Sequence, residues 1–296
     1  MAQDLTIAKT QFGHLVKTHP CFNGEAHGKY GRIHLPVSPQ CNIQCKFCQR
    51  GFNKWERRPG VTSQLLTPER ALVVVEKALE LCPEITVVGI AGPGDTLATD
   101  HALETFELIH QAYPHLINCL STNGLLLKEK AQRIAKAGVR TVTVTVNAVN
   151  PEILKDICSY IVLNGQYMTG EAAARWLITA QLAGIEQFAR LGGVVKVNTV
   201  LIPGVNDEHI EEIARVTASV GANLHNIIPL IPQHEFTHHR PPDCDELNKA
   251  REASELHLPV FRHCRQCRAD ACGIPGGTKD FANELYDEPM PTFSHG

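Results

Sequence analysis

Cys41-Asn42-Ile43-Gln44-Cys45-Lys46-Phe47-Cys48 follows a short apolar stretch, Ile33 to Val37, and decides how the rest of the chain is read. The spacing is C-x3-C-x2-C. Three thiolates in so tight a loop can hold three irons of a [4Fe-4S] cube and leave the fourth iron without a protein ligand. An open iron binds a small molecule, so such a cluster serves chemistry more than electron storage. Zinc is the competing reading of grouped cysteines. Zinc sites call for four ligands and commonly pair two C-x2-C knuckles, so the x3-x2 spacing after a strand favours the cluster.

Downstream of that loop the chain settles into alternation. Thr67-Pro68 is an N-cap and N1 pair that opens an apolar-periodic helix to about Cys82. Ile85 to Ala91 reads as a strand closed by Gly92-Pro93-Gly94-Asp95, followed by a helix from Asp100 to Tyr113. Leu116 to Ser121 reads as a strand, and Lys128 to Ala137 as a helix stopped by Gly138. Val139 to Val146 alternates Val and Thr and is the clearest strand. A short helix from Pro151 and a long one from Glu171 to Leu191 precede a strand from Val194 to Ile202. Then come a helix (Asp207 to Val220), a strand (Leu224 to Ile231), a His/Pro-rich loop and a helix ending at Leu256. A last short strand spans Leu258 to Phe261.

Strand, loop and helix repeated about six times predict a parallel sheet with crossover helices. No Gly-x-Gly-x-x-Gly follows the first strand, which weighs against a dinucleotide fold. The chemistry-bearing residues fall at the predicted C-terminal ends of strands, where a TIM-type barrel carries its site. No linker divides the chain, so one domain is expected: an α/β, TIM-barrel-like body over 32–262, with ligand-bearing extensions at 1–31 and 263–296.

With 296 residues, 43% of them hydrophobic, the chain can bury a large core. A net charge of -3 and a pI near 6.6 point to neither nucleic acid nor an anionic membrane. No apolar run reaches transmembrane length and no signal-peptide pattern opens the chain, so a cytoplasmic protein is expected. Eleven cysteines, an odd number, fit a disulfide framework poorly. Metal or cluster ligation is the better default for those that group, and ordinary thiols for Cys82, Cys158 and Cys244.

A second group is Cys264-Arg265-Gln266-Cys267, followed by Arg268-Ala269-Asp270-Ala271. A lone C-x2-C is half a zinc knuckle, a redox pair or a pair of cluster ligands. Cluster ligation is favoured in a chain already committed to iron–sulfur chemistry. Cys21, His27 and Cys119 are scattered. Taken alone, a histidine is more often a hydrogen-bonding residue than a ligand, and Cys119 reads as a small core residue.

The C-x3-C-x2-C loop resembles that of radical S-adenosylmethionine (SAM) enzymes. The resemblance implies that the open iron chelates SAM, which is then split to a 5′-deoxyadenosyl radical. It places Phe47 near the adenine and the Gly92-Pro93-Gly94-Asp95 turn at the methionine amino group. Thr145, Asn147 and Asn198 then belong to the cofactor contacts at the ribose or carboxylate. Further strings narrow the likeness: His19-Pro20-Cys21, Glu25-Ala26-His27, Ser121-Thr122-Asn123-Gly124, Ile202-Pro203-Gly204-Val205-Asn206-Asp207, and His263 through Ala271. Together, from about Thr18 to Gly273, they resemble the NifB family of nitrogenase iron–molybdenum cofactor biosynthesis.

In that family two further [4Fe-4S] clusters, K1 and K2, are substrates fused into an eight-iron carbide cluster. The resemblance implies Cys21, His27 and Cys119 as ligands of K1, and Cys264 and Cys267 as ligands of K2. It implies Glu56 beside K1 as a catalytic group, with Arg57 and Arg58 as neighbouring candidates. One SAM would methylate a K2 sulfide. A second would yield the radical that abstracts hydrogen from that methyl, and the carbon would end as the central carbide. Implied partners are an electron donor such as a ferredoxin, an iron–sulfur donor scaffold, a cofactor carrier and the nitrogenase assembly scaffold. The chain departs from the family where relatives carry a further cysteine after the SAM motif, since Arg50 to Trp55 contains none. No NifX-like domain of the kind many relatives add is expected after the barrel. Another radical SAM enzyme with one auxiliary cluster, or an iron–sulfur scaffold or carrier, are the alternatives. The fusion reading requires Cys21 and Cys264 to meet beside Cys41.

Overall fold

The computed structural model describes residues 10–286. The outer parts of both predicted extensions, 1–9 and 287–296, lie outside the described residues. The strands in chain order are β1 (Gly31–His34), β2 (Ile43–Cys45), β3 (Gly51–Phe52), β4 (Val61–Thr62), β5 (Ile85–Ile90), β6 (Ile117–Thr122), β7 (Val139–Thr145), β8 (Cys158–Leu163), β9 (Gln166–Met168), β10 (Val194–Leu201), β11 (Leu224–Pro229) and β12 (Cys272–Gly273). The main sheet runs β11-β10-β7-β6-β5-β1-β12. Its first six members are mutually parallel, and only β12 is antiparallel. The helices Pro68–Leu81, His101–Ala112, Leu127–Lys136, Gly170–Arg190 and Ile210–Ser219 make the crossovers. The result is the expected α/β barrel, curled but open, because β11 and β12 do not pair.

Period-two alternation sorts each parallel strand into two faces. Val142 and Val144 of β7 join the core under the helices, while Thr143 and Thr145 face the barrel interior. The same split recurs on β10, where Val195 and Val197 go outward and Lys196 and Asn198 go inward. Both faces are covered, as a parallel sheet requires. Helix ends follow local chemistry. Thr67 accepts from the Arg70 N–H ahead of Pro68. Asp243 and Glu246 form a reciprocal capping box on the helix Cys244–Glu255.

Four sequence expectations shift. The first strand, expected over Ile33 to Val37, is β1 at 31–34. The extension beyond it carries Pro36, which has no N–H to donate. Leu258 to Phe261 forms no strand, only a parallel bridge between Val260 and His225, because Pro259 also lacks a donor. Cys119, expected at a strand end, is the third residue of six-residue β6. The stretch between the helices at Pro151 and Gly170 holds a hairpin, β8 and β9, turning at Asn164 and Gly165 with φ of 50° and 76°. β2 pairs with β8, Cys45 opposite Cys158, so the cysteine loop rests on this hairpin.

The ends of the described chain complete the barrel. At the base, Val16 and Phe22 pack against Val87, Ile117, Val194 and Leu224, residues near the starts of β5, β6, β10 and β11. The N-terminal segment is therefore a plug. The later segment bridges the open side. Phe261 N–H bonds His225 O on β11, Gln266 Nε2 donates to Pro229 O, and β12 then pairs Gly273 with Arg32 and Cys272 with Ile33. Cys272 is thereby a buried edge residue of the core.

Two contacts fix the bridge and the cysteine loop. Arg268 and Asp270 form a buried pair at 2.8 Å, their side chains 6% and 1% exposed. Arg268 also donates to Asn53 O and Glu56 O, and Asp270 accepts from Ser63. At the end of β5, after the cis Gly92-Pro93 bond, Gly94 N–H donates to Ser38 O and Asp95 N–H to Gln40 O, each at 2.8 Å. A Cβ on Gly94 would lie 2.1 Å from Gln40 O.

Burial opposes ionisation of Asp270, but the bonds from Arg268 and Ser63 outweigh it and hold its pKa below the usual carboxylate value. A depressed carboxylate stabilises the fold above its unfolded pKa and loses that contribution as pH falls through the folded value. Asp270→Asn is expected to cost about 3–5 kcal/mol at neutral pH by stranding the Arg268 charge. In urea unfolding the gap to the parent should narrow below about pH 4. Gly94→Ala must push Gln40, next to Cys41, and is expected to cost about 1–3 kcal/mol as an overpacking change. It should also lower iron uptake at the cysteine loop, read as iron per chain after anaerobic reconstitution.

Candidate functional site

The loop bearing Cys41, Cys45 and Cys48 is shaped by its neighbours. Gln44 Nε2 donates to the carbonyls of Cys45 and Cys48 at 2.9 and 3.0 Å, pinning the turn from inside. Lys46 N–H reaches Ile157 O, and Phe236 N–H reaches Lys46 O. All three cysteines are free thiols. Burial pushes the Cys41 thiol up to about 12, with the Asp95 charge adding to it, and raises Cys45 and Cys48 as well. A bare thiolate is unfavourable in such surroundings, and a cationic iron has to take the place of the proton. Among the described residues no group of three or more His, Cys, Asp or Glu side chains is placed to hold a single metal ion. A cube asks each iron for only one protein ligand, so three thiols suffice for it where a structural zinc site calls for four ligands. The donor set fits the cluster.

The interior of the barrel opens into a cavity of about 330 Å³. Cys48 and Phe47 border it from the cysteine loop, and Thr145 and Asn198 from β7 and β10. Cys119 of β6 lines it, with Cys21 and His27 from the N-terminal plug. Cys264 and Cys267 close it from the bridging segment. Residues nearly 250 positions apart thus share one chamber, a span set by Cys21 and Cys267. The plug and bridge also touch directly, with the His27 and His263 rings 5.4 Å apart.

His27 is oriented for ligation. A carbonyl only accepts, so the 2.9 Å contact to Pro20 O places the proton on Nδ1. Nε2 then carries a lone pair, and it is buried without a partner. Burial, opposed by that bond, lowers the pKa and so favours the neutral ring. A histidine whose far nitrogen is fixed to a carbonyl is the usual form of a metal-bound imidazole. Burial also pushes Cys21 up to about 12 and raises Cys119.

Several expected cofactor residues sit behind the cavity wall. Asp95, 6% exposed, accepts from Thr122 Oγ1 and from the N–H groups of Asn123 and Leu97. Its carboxylate ties the Gly92-Gly94 turn to the turn after β6. Asn147 accepts from Val200 N–H and from Asn206 Nδ2, bracing β7 to the loop after β10. Glu56 does not border the cavity. Its carboxylate accepts from Arg58 Nε and Asn53 Nδ2, each at 2.6 Å, and the Arg58 bond holds it below the usual carboxylate range.

Sequence reasoning gave no site role to His19, Arg32, Lys196 or Asn226. Asn226 Oδ1 and His19 Nε2 are buried polar atoms without partners, and both residues line the cavity. His19 Nδ1 accepts from Cys21 N–H, so a neutral ring carries its proton on Nε2. The available signal was Val194-Val195-Lys196-Val197, a lysine inside an apolar strand run.

The Radical SAM superfamily profile matches residues 35–217. A "FeMo cofactor biosynthesis protein NifB" of Methanocaldococcus infernus is 47% identical over 281 residues, covering 94% of this chain and 92% of that protein. One of the same description from Methanocaldococcus jannaschii is 47% identical, covering 90% and 89%. Among solved structures, a radical SAM methyltransferase from Sphaerobacter thermophilus superimposes with a TM-score of 0.56 at 19% identity, over 78% of this chain and 65% of that one, a likeness of fold. Strand order, cysteine loop and sequence agree: the chain belongs to the radical SAM superfamily and, within it, to the NifB family.

Proposed function

We propose that this radical SAM enzyme acts in FeMo-cofactor biosynthesis by joining two [4Fe-4S] substrates in its barrel and inserting a SAM-derived carbon between them. The observation that carries the reading is the chamber. Cys21, His27, Cys119, Cys264 and Cys267, from three remote parts of the chain, line the same 330 Å³ cavity that Cys48 borders.

Bound to Cys41, Cys45 and Cys48, the SAM cluster would supply methyl-group and 5′-deoxyadenosyl chemistry from SAM. The chain's own residues do the rest. Cys21, Cys119 and the free Nε2 of His27 would hold one substrate cube, and Cys264 and Cys267 the other. Few protein ligands per cube suit a cluster that has to leave. Phe47, Thr145 and Asn198, which border the cavity, would orient SAM between its cluster and the substrates. Asp95 and Asn147 would hold those elements in place from behind. The plug at the base and the bridge at the side would limit the access of water to the reacting groups. An external electron donor, an iron–sulfur donor and an acceptor of the product complete the proposal. Among the described residues no helix is long and apolar enough to cross a membrane.

The test is anaerobic reconstitution with SAM and dithionite, followed by transfer of the product to an apo-nitrogenase assay. The full chain is expected to hold about twelve irons, to form both S-adenosylhomocysteine and 5′-deoxyadenosine, and to activate the acceptor. The double variants Cys21→Ala/Cys119→Ala and Cys264→Ala/Cys267→Ala should each lose about four irons and all product transfer. Cys48→Ala should abolish deoxyadenosine. A parent holding about four irons, and making deoxyadenosine without S-adenosylhomocysteine, would instead mark a radical enzyme acting on an organic substrate.

A further inference from the structure

Two cations are buried at the chamber without a paired carboxylate, Lys196 in its lining and Arg32 behind Cys267. Lys196 is 5% exposed and points inward from β10. Its Nζ donates to Cys21 O at 2.8 Å and lies 4.5 and 5.4 Å from the ring centroids of Phe22 and Phe261. Its charge acts on both Cys21 and Cys119. Arg32 is 7% exposed. One terminal nitrogen donates to Gly273 O at 2.7 Å, the other to Cys267 Sγ at 3.1 Å, and Nε has no partner. Asp280 acts on Arg32 only at longer range and is itself paired with Arg57.

The nearby buried cation Arg268 shows the contrast. Although it follows Cys267 in the chain, its hydrogen bonds go to Asn53 O, Glu56 O and Asp270, the last an acid at 2.8 Å. Burying a charge without an opposite charge is strongly unfavourable. Lys196 and Arg32 are therefore incomplete in the protein alone. Lys196 lies beside Cys21 and Cys119, and Arg32 bonds Cys267 while its charge also reaches Cys21. Thiolates and sulfides bring negative charge, and every added electron or sulfide brings more. A cube held by two or three protein ligands is retained as much by field as by bonds.

Resting on the reading of the chamber given above, we propose that Lys196 and Arg32 are fixed-charge positioning residues for the anionic iron–sulfur substrates, Lys196 for the cluster at Cys21 and Cys119, Arg32 for the cluster at Cys267. A fixed positive charge favours the reduced, more negative cluster. Each residue thereby retains its cluster and raises its potential.

The test uses the full chain, reconstituted anaerobically, with Lys196→Met, Lys196→Arg, Arg32→Met and Arg32→Lys. Retained iron is measured after a chelator challenge. Midpoint potentials are read by electron paramagnetic resonance on the signals that do not change when SAM is added. The Met variants are expected to lose about four irons roughly tenfold faster than the parent. Before the challenge, the signal of the cluster beside the substituted residue should shift negative by about 59 mV, a tenfold change for one electron. The charge-keeping variants should stay near the parent. If Lys196→Met does not fold, Lys196→Gln keeps a donor for Cys21 O without the charge and carries the same outcomes. Met variants that match the parent in iron retention and potential overturn the proposal. A parent that itself holds only about four irons overturns the reading of the chamber, and this proposal with it.

Discussion

The free edge of β1 and the free edge of β11 are the constraint on which this structure turns. A parallel sheet of six strands curls without closing and leaves two rows of unpaired backbone groups facing each other across a gap. The segment from Val260 to Gly273 satisfies both. It bridges to His225 on one side, pairs antiparallel with Arg32 and Ile33 on the other, and is stapled between by Arg268 and Asp270. The same backbone requirement carries Cys264 and Cys267 across the opening. Two of the thiols in the chamber owe their place to hydrogen bonds that sheet edges demand.

Electrostatics then separates the chamber from an ordinary core. Burial pushes the Cys21 thiol up to about 12 and raises Cys119, while Lys196 and Arg32 act on Cys21 as cations without paired carboxylates. An apolar filling would leave those charges unpaid, and a salt-bridged core would have used acids as it does at Arg268. Protonated sulfurs beside fixed positive charge can exchange their protons for metal, which is the basis of the function proposed above.

Much of this was legible in the sequence because it is local. The x3-x2 spacing, the Thr67-Pro68 start and the Val/Thr alternation of β7 act over a few residues and came through with boundaries close to those observed. The hairpin under the cysteine loop was missed although Asn164-Gly165 announced it, because the strands around it are short and mixed in polarity. The pairing of Arg32 with Gly273 has no local signature at all. Lys196 hid for the opposite reason. A single lysine in a strand reads as a solvent-facing residue until the barrel shows which way its side chain points. Asp95 and Asn147 were expected as cofactor contacts, but the Asp95 carboxylate and Asn147 Oδ1 brace turns, a distinction that hydrogen-bond partners reveal and residue type does not.

The bridging segment also orders events in time. During synthesis the plug emerges first and the six parallel strands follow. Residues 260–273 leave the ribosome only after every other wall is made. Until they do, the barrel is a trough with its thiols open on one side, and the sites at Cys264 and Cys267 do not exist. Cargo delivered to the nascent chain would meet half a container. A chamber walled on every side belongs to the polypeptide made through Gly273, and its last wall is a surface assembled late.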